Sequence, residues 1–414
     1  MSRICILAPG QPSTDPRLVK EADALCEAGY EVRVLCSHCV PWADTADEAL
    51  LSERHWSCTY VDGKSGDHIF SASYVRARHW LASRLSLAWP VSETLRRCAL
   101  SRTLPELAAT ARAFPADLYI AHYPGALVAA AEAARAYSAP FAYDAEDFEA
   151  GTYPTATGPA PLDRLIESYE SQHLPRCAYV SAASPGIAQA YSQKYSIPLP
   201  ATILNVFPLS ERPAQFRFTP LAGPLRLYWF SQTIGSDRGL QDVLRAMGQL
   251  KDCDIELHLR GRWAQGFQNE VRKLTTSLAL PDQRIQVHPV APPAGMISLA
   301  AQYEIGLALE QSVSRNRQIC LTNKIFTYLL AGNAVVATAT AGQQPIMEML
   351  GQAGFSYQSG DVNALARGLR VWYENRRVLE EARRQAWAWG TRRFNWDVEK
   401  RTFLQMVERA LNRH

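Results

Sequence analysis

Residues 303–348, YEIGLALEQSVSRNRQICLTNKIFTYLLAGNAVVATATAGQQPIME, leave little choice of fold. Apolar residues 305–309 read as a buried strand, a polar loop carries Arg315 and Arg317, and 323–331 has a helical pattern that Gly332 ends. Residues 334–338 form a second apolar strand, and a Gly342-Gln343-Gln344 turn opens the next helix. Thr322 is placed to cap the first of these helices, and glycine supplies the left-handed residue of its stop. Two strands around one helix make a parallel βαβ unit, and sheets built this way bind ligands beyond the carboxyl ends of their strands. Glu310, Arg315, Arg317, Asn323, Lys324 and the Gln343 turn all fall at that edge. Free backbone N–H groups, a helix dipole and several cations there favour an anion, most simply a phosphate or diphosphate.

At 414 residues the chain exceeds one hydrophobic core, and two domains of about 200 residues fit the usual size. Strand–helix alternation fills both halves. The first begins with a strand at 4–8, a helix at 18–28 stopped by Gly29 and a strand at 30–35, then continues through strands at 118–121, 141–143, 179–181 and 202–204. Pro208, Pro213, Pro220 and Pro224 mark a break, after which the alternation restarts at 225–230. The expected division is a first domain over 1–208, a linker over 209–224, a second domain over 225–390 and a closing helix within 391–414. The fold class is α/β, two doubly wound domains facing across a cleft.

The net charge of +3 gives no footing for nucleic acid. No apolar run reaches the roughly 18 residues of a membrane span, and Met1-Ser2-Arg3 leads straight into a strand, so a cytoplasmic protein is expected. Nine scattered cysteines suit a reducing compartment. Cys36-Ser37-His38-Cys39 has the spacing of half a zinc site, but no second such pair accompanies it, and packing at a strand end is the simpler reading.

Several polar residues collect at predicted strand ends of the first half. Asp15 and Arg17 follow the first strand, where they either approach a sugar or merely start the helix. The three-glycine phosphate motif of dinucleotide folds is absent from that loop. His122 ends another strand, where it either helps orient a substrate or packs structurally. Asp144 and Glu146, with Asp147, leave the next strand, positioned to bind an acceptor hydroxyl, supply a base or cap the following segment. In the second half Arg238 and Gly239 stand after the first strand, and Arg260 and Arg262 after the second. Between 64 and 103 lie seven basic residues (Lys64, Arg76, Arg78, Arg84, Arg96, Arg97, Arg102) against Asp67 and Glu93, interleaved with Trp80 and Trp89. Such a segment serves interfacial membrane binding or an anionic acceptor, or else is a solvated helical hairpin.

Taken in order, these residues make the chain resemble the GT-B-fold glycosyltransferases of family 4. The resemblance rests on Asp15-Pro16-Arg17, His122, Tyr143-Asp144-Ala145-Glu146 and Leu204-Asn205 in the first half. In the second it rests on Arg238-Gly239-Leu240, Glu304-Ile305-Gly306-Leu307, Asn323-Lys324-Ile325-Phe326, Tyr328, Ala331-Gly332 and Phe394-Asn395-Trp396. It implies a nucleotide-sugar donor, transfer of a hexose-type sugar with retention to a hydroxyl of a carbohydrate or lipid-linked acceptor, and no metal or other cofactor. Cell-surface polysaccharide or glycolipid assembly at the inner membrane face is the setting it suggests. Arg238, Gly239, Arg315, Asn323, Lys324, Glu310 and Gln343 would bind the donor, His122, Asp144 and Glu146 would act at the reacting sugar and acceptor, and Asp15 and Arg17 would face the acceptor. The chain departs from the family at Ile319 and Thr327, where two glutamates are usual, and at Ser231-Gln232, where Gly-Arg is common. Glu310 is a candidate substitute for the missing acid. The departures keep two other functions in play, a binding or scaffolding subunit without catalysis and a nucleotide-sugar epimerase.

Overall fold

The computed structural model describes residues 1–62, 69–86, 92–152 and 161–412. Two compact units emerge, Met1–Ile203 with Ser314–Asn316 and Lys400–His414, and Leu204–Val313 with Arg317–Glu399. The break therefore falls after Ile203 rather than Pro208, and the supposed linker 209–224 is packed into the second unit. Thr219 donates its N–H to Glu380 at 2.8 Å and accepts from Arg383 Nη1 at 2.8 Å, while the Phe216 ring meets Trp387 edge-on. Prolines break helices and strands but do not prevent packing.

The first unit holds seven parallel strands: β1 (Arg3–Leu7), β2 (Glu31–Cys36), β3 (Ser57–Tyr60), β4 (Leu118–His122), β5 (Phe141–Ala145), β6 (Val180–Ala182) and β7 (Ala201–Thr202). Their order in the sheet is β3-β2-β1-β4-β5-β6-β7. Ile4, Cys5, Ile6 and Leu7 are wholly buried, as a strand covered by helices on both faces must be. Helix Pro16–Glu27 starts where Asp15 accepts the Leu18 N–H at 3.0 Å, with Pro16 supplying a preset φ in the first turn. Strand order reverses between β1 and β4, so the loops after these two strands diverge and leave a crevice. The basic region folds as helices Ile69–Ser86 and Glu93–Leu100, the latter capped by Ser92. Lys64, Asp67 and Trp89 lie outside the described residues.

The second unit repeats the plan with β8 (Leu225–Ile234), β9 (Ile255–Trp263), β10 (Ile285–His288), β11 (Ile305–Ala308), β12 (Ala334–Thr338) and β13 (Gly354–Tyr357). The order is β10-β9-β8-β11-β12-β13, with its reversal between β8 and β11. One face packs Leu227, Trp229, Leu257 and Leu307 against Leu240, Leu244, Leu365 and Leu369. On β11, a Cβ at Gly306 would lie 2.1 Å from the Tyr328 ring, so only glycine lets helix Asn323–Ala331 lie this close to the sheet. β8 runs past the expected end at 230: a register shift between Phe230 and Thr233 carries it on to Ile234. Ser231 and Gln232 are thus strand residues rather than loop.

Candidate active site

At the mouth of the first crevice, charged side chains are buried together. Arg17 is 1% exposed and grips Asp144 with Nε at 2.5 Å and Nη2 at 2.7 Å, while Nη1 donates to the Ile203 carbonyl at 2.7 Å. Ser181 Oγ donates to the same carboxylate at 2.5 Å. Burial alone would raise the Asp144 carboxyl, but the Arg17 guanidinium, with His122 and Ser181, holds it down to about 2. His122, 1% exposed, lies 3.1 Å through Nε2 from Glu21 Oε2, and its Nδ1 is 3.7 Å from both Asp15 Oδ2 and Asp144 Oδ2. Burial works against the imidazolium, yet Glu21, Asp15 and Asp144 outweigh it and lift His122 to about 10. Glu146 rises to about 8 because it is enclosed and close to Asp15. The residue after His122, Tyr123, has φ 71, a left-handed backbone that a tyrosine rarely adopts and that often marks a working part of a protein.

Glu21, His122 and Asp144 bring potential ligand atoms within 4.8 Å of one another. Arg17 already covers both Asp144 oxygens, and its charge opposes a second cation there.

In the second unit the corresponding crevice is basic. Glu310, 6% exposed just past β11, pairs through Oε1 with Lys324 Nζ at 3.1 Å and through Oε2 with Arg317 Nη1 at 2.9 Å. Burial pushes its carboxyl up, but Lys324, Arg317 and Arg238 together bring it below the usual range. Three cations thus surround this carboxylate, with Asp237 beside one of them, Arg238. They gather where helix Asn323–Ala331 begins, and that beginning is open: Thr322, expected to cap it, makes no capping bond, and its Oγ1 has no partner among the described residues. Arg238 ends a short 3₁₀ turn, Ser236–Arg238, and its Nε is 3.4 Å from Asp237 without a hydrogen bond. Gly239 turns the chain with φ 71, and a Cβ there would come within 2.8 Å of the Leu309 carbonyl. The loop after β8 is thereby pressed against the segment that carries Glu310.

The sequence-level candidates thus fall into two groups. Asp15, Arg17, His122, Asp144 and Glu146 come together in the first unit, and Arg238, Gly239, Glu310, Asn323 and Lys324 in the second. Arg315 is exposed and belongs with the first unit, so the arginine that reaches Glu310 is Arg317. Gln343 is fully buried and its amide donates to the carbonyls of Ala308 at 3.2 Å and Thr338 at 2.9 Å, tying β11 to β12 rather than facing outward. At the two positions where glutamate is usual, Ile319 is packed at 4% exposure, and the Thr327 hydroxyl donates back to the Asn323 carbonyl at 3.1 Å. Glu310 does not replace them in this state, since both its oxygens are taken. Glu21 escaped the sequence reading altogether; a glutamate on the inner, apolar face of a predicted helix is the signal that would have found it.

Residues 15–209 match the family model of the glycosyl transferase 4-like domain. No curated protein matches the chain in sequence. Among solved structures, HepE of Anabaena in complex with UDP-glucose is similar over 99% of this chain and 100% of its own, with 16% identity and a TM-score of 0.67. Sucrose-phosphate synthase from Thermosynechococcus elongatus is similar over 100% of both chains, with 13% identity and a TM-score of 0.71. A glycosyltransferase from Rickettsia africae is similar over 100% of this chain and 99% of its own, with 14% identity and a TM-score of 0.68. At these identities the likeness is one of fold. Residues 15–209 thus carry a glycosyl transferase 4-like domain, and the chain shares the fold of these structures along its whole length.

Proposed function

We propose that the protein moves a sugar from a nucleotide-sugar donor to a hydroxyl acceptor with retention, and that the donor diphosphate is held in the second unit. The observation carrying this reading is the open start of helix Asn323–Ala331 amid Lys324, Arg317 and Arg238. Backbone N–H groups, helix dipole and the cluster of Lys324, Arg317 and Arg238 suit a diphosphate, whose charge grows as the bond to the sugar breaks. In such a transfer the leaving diphosphate assists deprotonation of the incoming hydroxyl, and the protein supplies position and charge without a metal. Asp144 is ionised but enclosed by Arg17 and Ser181, so its part is to hold the strand ends. Glu146, near neutrality in its titration, is the carboxyl suited to an acceptor hydroxyl.

The deciding experiment incubates the protein with a panel of nucleotide sugars, UDP-glucose first because HepE is known in complex with it. Release of nucleoside diphosphate only when an acceptor is added supports transfer. Ligand-induced stabilisation without any turnover would instead favour a non-catalytic binding subunit, the reading that Ile319 and Thr327 motivate. Arg238→Ala should lower turnover roughly tenfold or more with the fold intact; unchanged kinetics remove Arg238 from the site.

The acceptor, in this proposal, is lipid-linked and met at the cytoplasmic membrane face. No helix among the described residues is long and apolar enough to cross a membrane. Helix Ile69–Ser86 nevertheless exposes Tyr74, Trp80, Leu81 and Leu85, with the Arg84 guanidinium 4.7 Å above the Trp80 ring. No acidic residue interrupts it. Aromatic and basic side chains together suit the headgroup layer of an anionic bilayer. The protein should co-sediment with phosphatidylglycerol vesicles and not with pure phosphatidylcholine, and Trp80→Ala combined with Arg84→Ala should abolish the difference.

A further inference from the structure

Glu21 lies on the inward side of helix Pro16–Glu27 with no exposed surface. A carboxylate so placed is expensive to ionise, and burial duly pushes its titration upward. Its one hydrogen bond among the described residues joins Oε2 to His122 Nε2 at 3.1 Å, whereas Oε1 is 3.7 Å from Arg17 Nε without a bond. The other charged groups beside the ring are Asp15 from the preceding loop and Asp144 from β5, the latter held by Arg17 from the same helix as Glu21. Asp144 is taken by Arg17 and Ser181, Asp15 Oδ1 accepts the Leu18 N–H, and neither aspartate is within hydrogen-bond distance of Nδ1. Among the described residues, Glu21 alone bonds the imidazole.

His122 also immediately precedes helix Tyr123–Tyr137, whose positive dipole end disfavours a cation. A charged ring there requires a counter-charge, and the backbone that follows it bends into the left-handed region at Tyr123. We propose that Glu21 is a positioning residue: by accepting His122 Nε2–H it fixes the ring and its charge, and so holds the strained His122–Tyr123 peptide at the carboxyl end of β4 in the geometry that turnover needs. The kinetic half of this inference rests on the transferase reading; the ring and its charge do not.

The test follows His122 by NMR in histidine-labelled protein, with His122→Asn to assign its signal, in wild type and Glu21→Gln. The amide keeps the size and a hydrogen bond but removes the charge. In wild type the His122 signal should stay that of an imidazolium from about pH 6 to about pH 9, and in Glu21→Gln it should titrate inside that window. Turnover of Glu21→Gln should fall roughly fivefold or more at about pH 8.5 with the donor KM unchanged, and return toward wild type at about pH 6, where the ring is protonated again. A purely structural role predicts equal loss at both pH values, and that result overturns the proposal. So does a wild-type His122 that titrates between about pH 6 and 8, a measurement that stands even if Glu21→Gln fails to fold. If wild type transfers no sugar from any donor, the transferase reading falls, while the titration still decides whether Glu21 holds the charge.

Discussion

Arg17→Ala should destabilise the first unit by about 3–5 kcal/mol and lower its unfolding temperature by roughly 10 °C. The reason is what remains behind. Asp144 would stay buried, keep Ser181, and lose the two bonds at 2.5 and 2.7 Å that offset its desolvation. The Ile203 carbonyl would lose its donor as well. Part of the damage is reversible: protonating Asp144 removes the unpaired charge, so the gap between variant and wild type should narrow as pH falls toward 4. Arg17→Lys, with one donor group in place of a planar fork, should recover only part of the loss. Calorimetry resolves the effect, and a variant that melts within about 2 °C of wild type at neutral pH would show that the pair contributes little.

The second large effect is a loss of stability with rising pH. His122, ordinarily near 6.5, is raised to about 10 by its carboxylates against the pull of burial. Its stabilisation is complete below 6.5 and disappears as pH rises through 10. Burial raises Glu170 to about 7, and burial together with neighbouring acids raises Glu146 and Glu149 to about 8. The folded state therefore keeps protons that the unfolded chain has released above 4.5, and stability again declines on going from there to 8. Asp144 acts the other way, with stabilisation present above 3.8 and lost as pH falls through about 2. The first unit should be most stable near pH 4–5 and lose on the order of a few kcal/mol by about pH 9. Denaturant titrations at a series of pH values measure this directly, and a stability maximum near pH 8 would contradict it.

What the sequence made legible follows from what is local. Strands covered on both faces read as unbroken apolar runs, which is why 118–121, 305–309 and 334–338 identify β4, β11 and β12 almost to the residue. Ser231 and Gln232 read as loop because a strand that continues past a bulge has no apolar mark there. The pairings that build the site are not local: Arg17 meets Asp144 across 127 positions, and Glu21 meets His122 across 101. Residue type placed Asp15, His122 and Asp144 at strand ends, but only the folded chain makes them partners. Arg315 and Arg317 look interchangeable in the sequence, and a two-residue turn of helix Arg315–Ile319 separates the one that reaches Glu310 from the one that does not.

A bonded hydroxyl at the head of helix Asn323–Ala331 would firm the empty protein by about 1 kcal/mol. Thr322 leaves that bond unmade. On the proposed reading, in which a diphosphate binds here, the second unit's rigidity is partly on loan from that ligand, and local unfolding near this helix becomes a gauge of occupancy. A mutation that tightened the helix from within, such as an acidic side chain at this position, would yield a sturdier molecule and a poorer host.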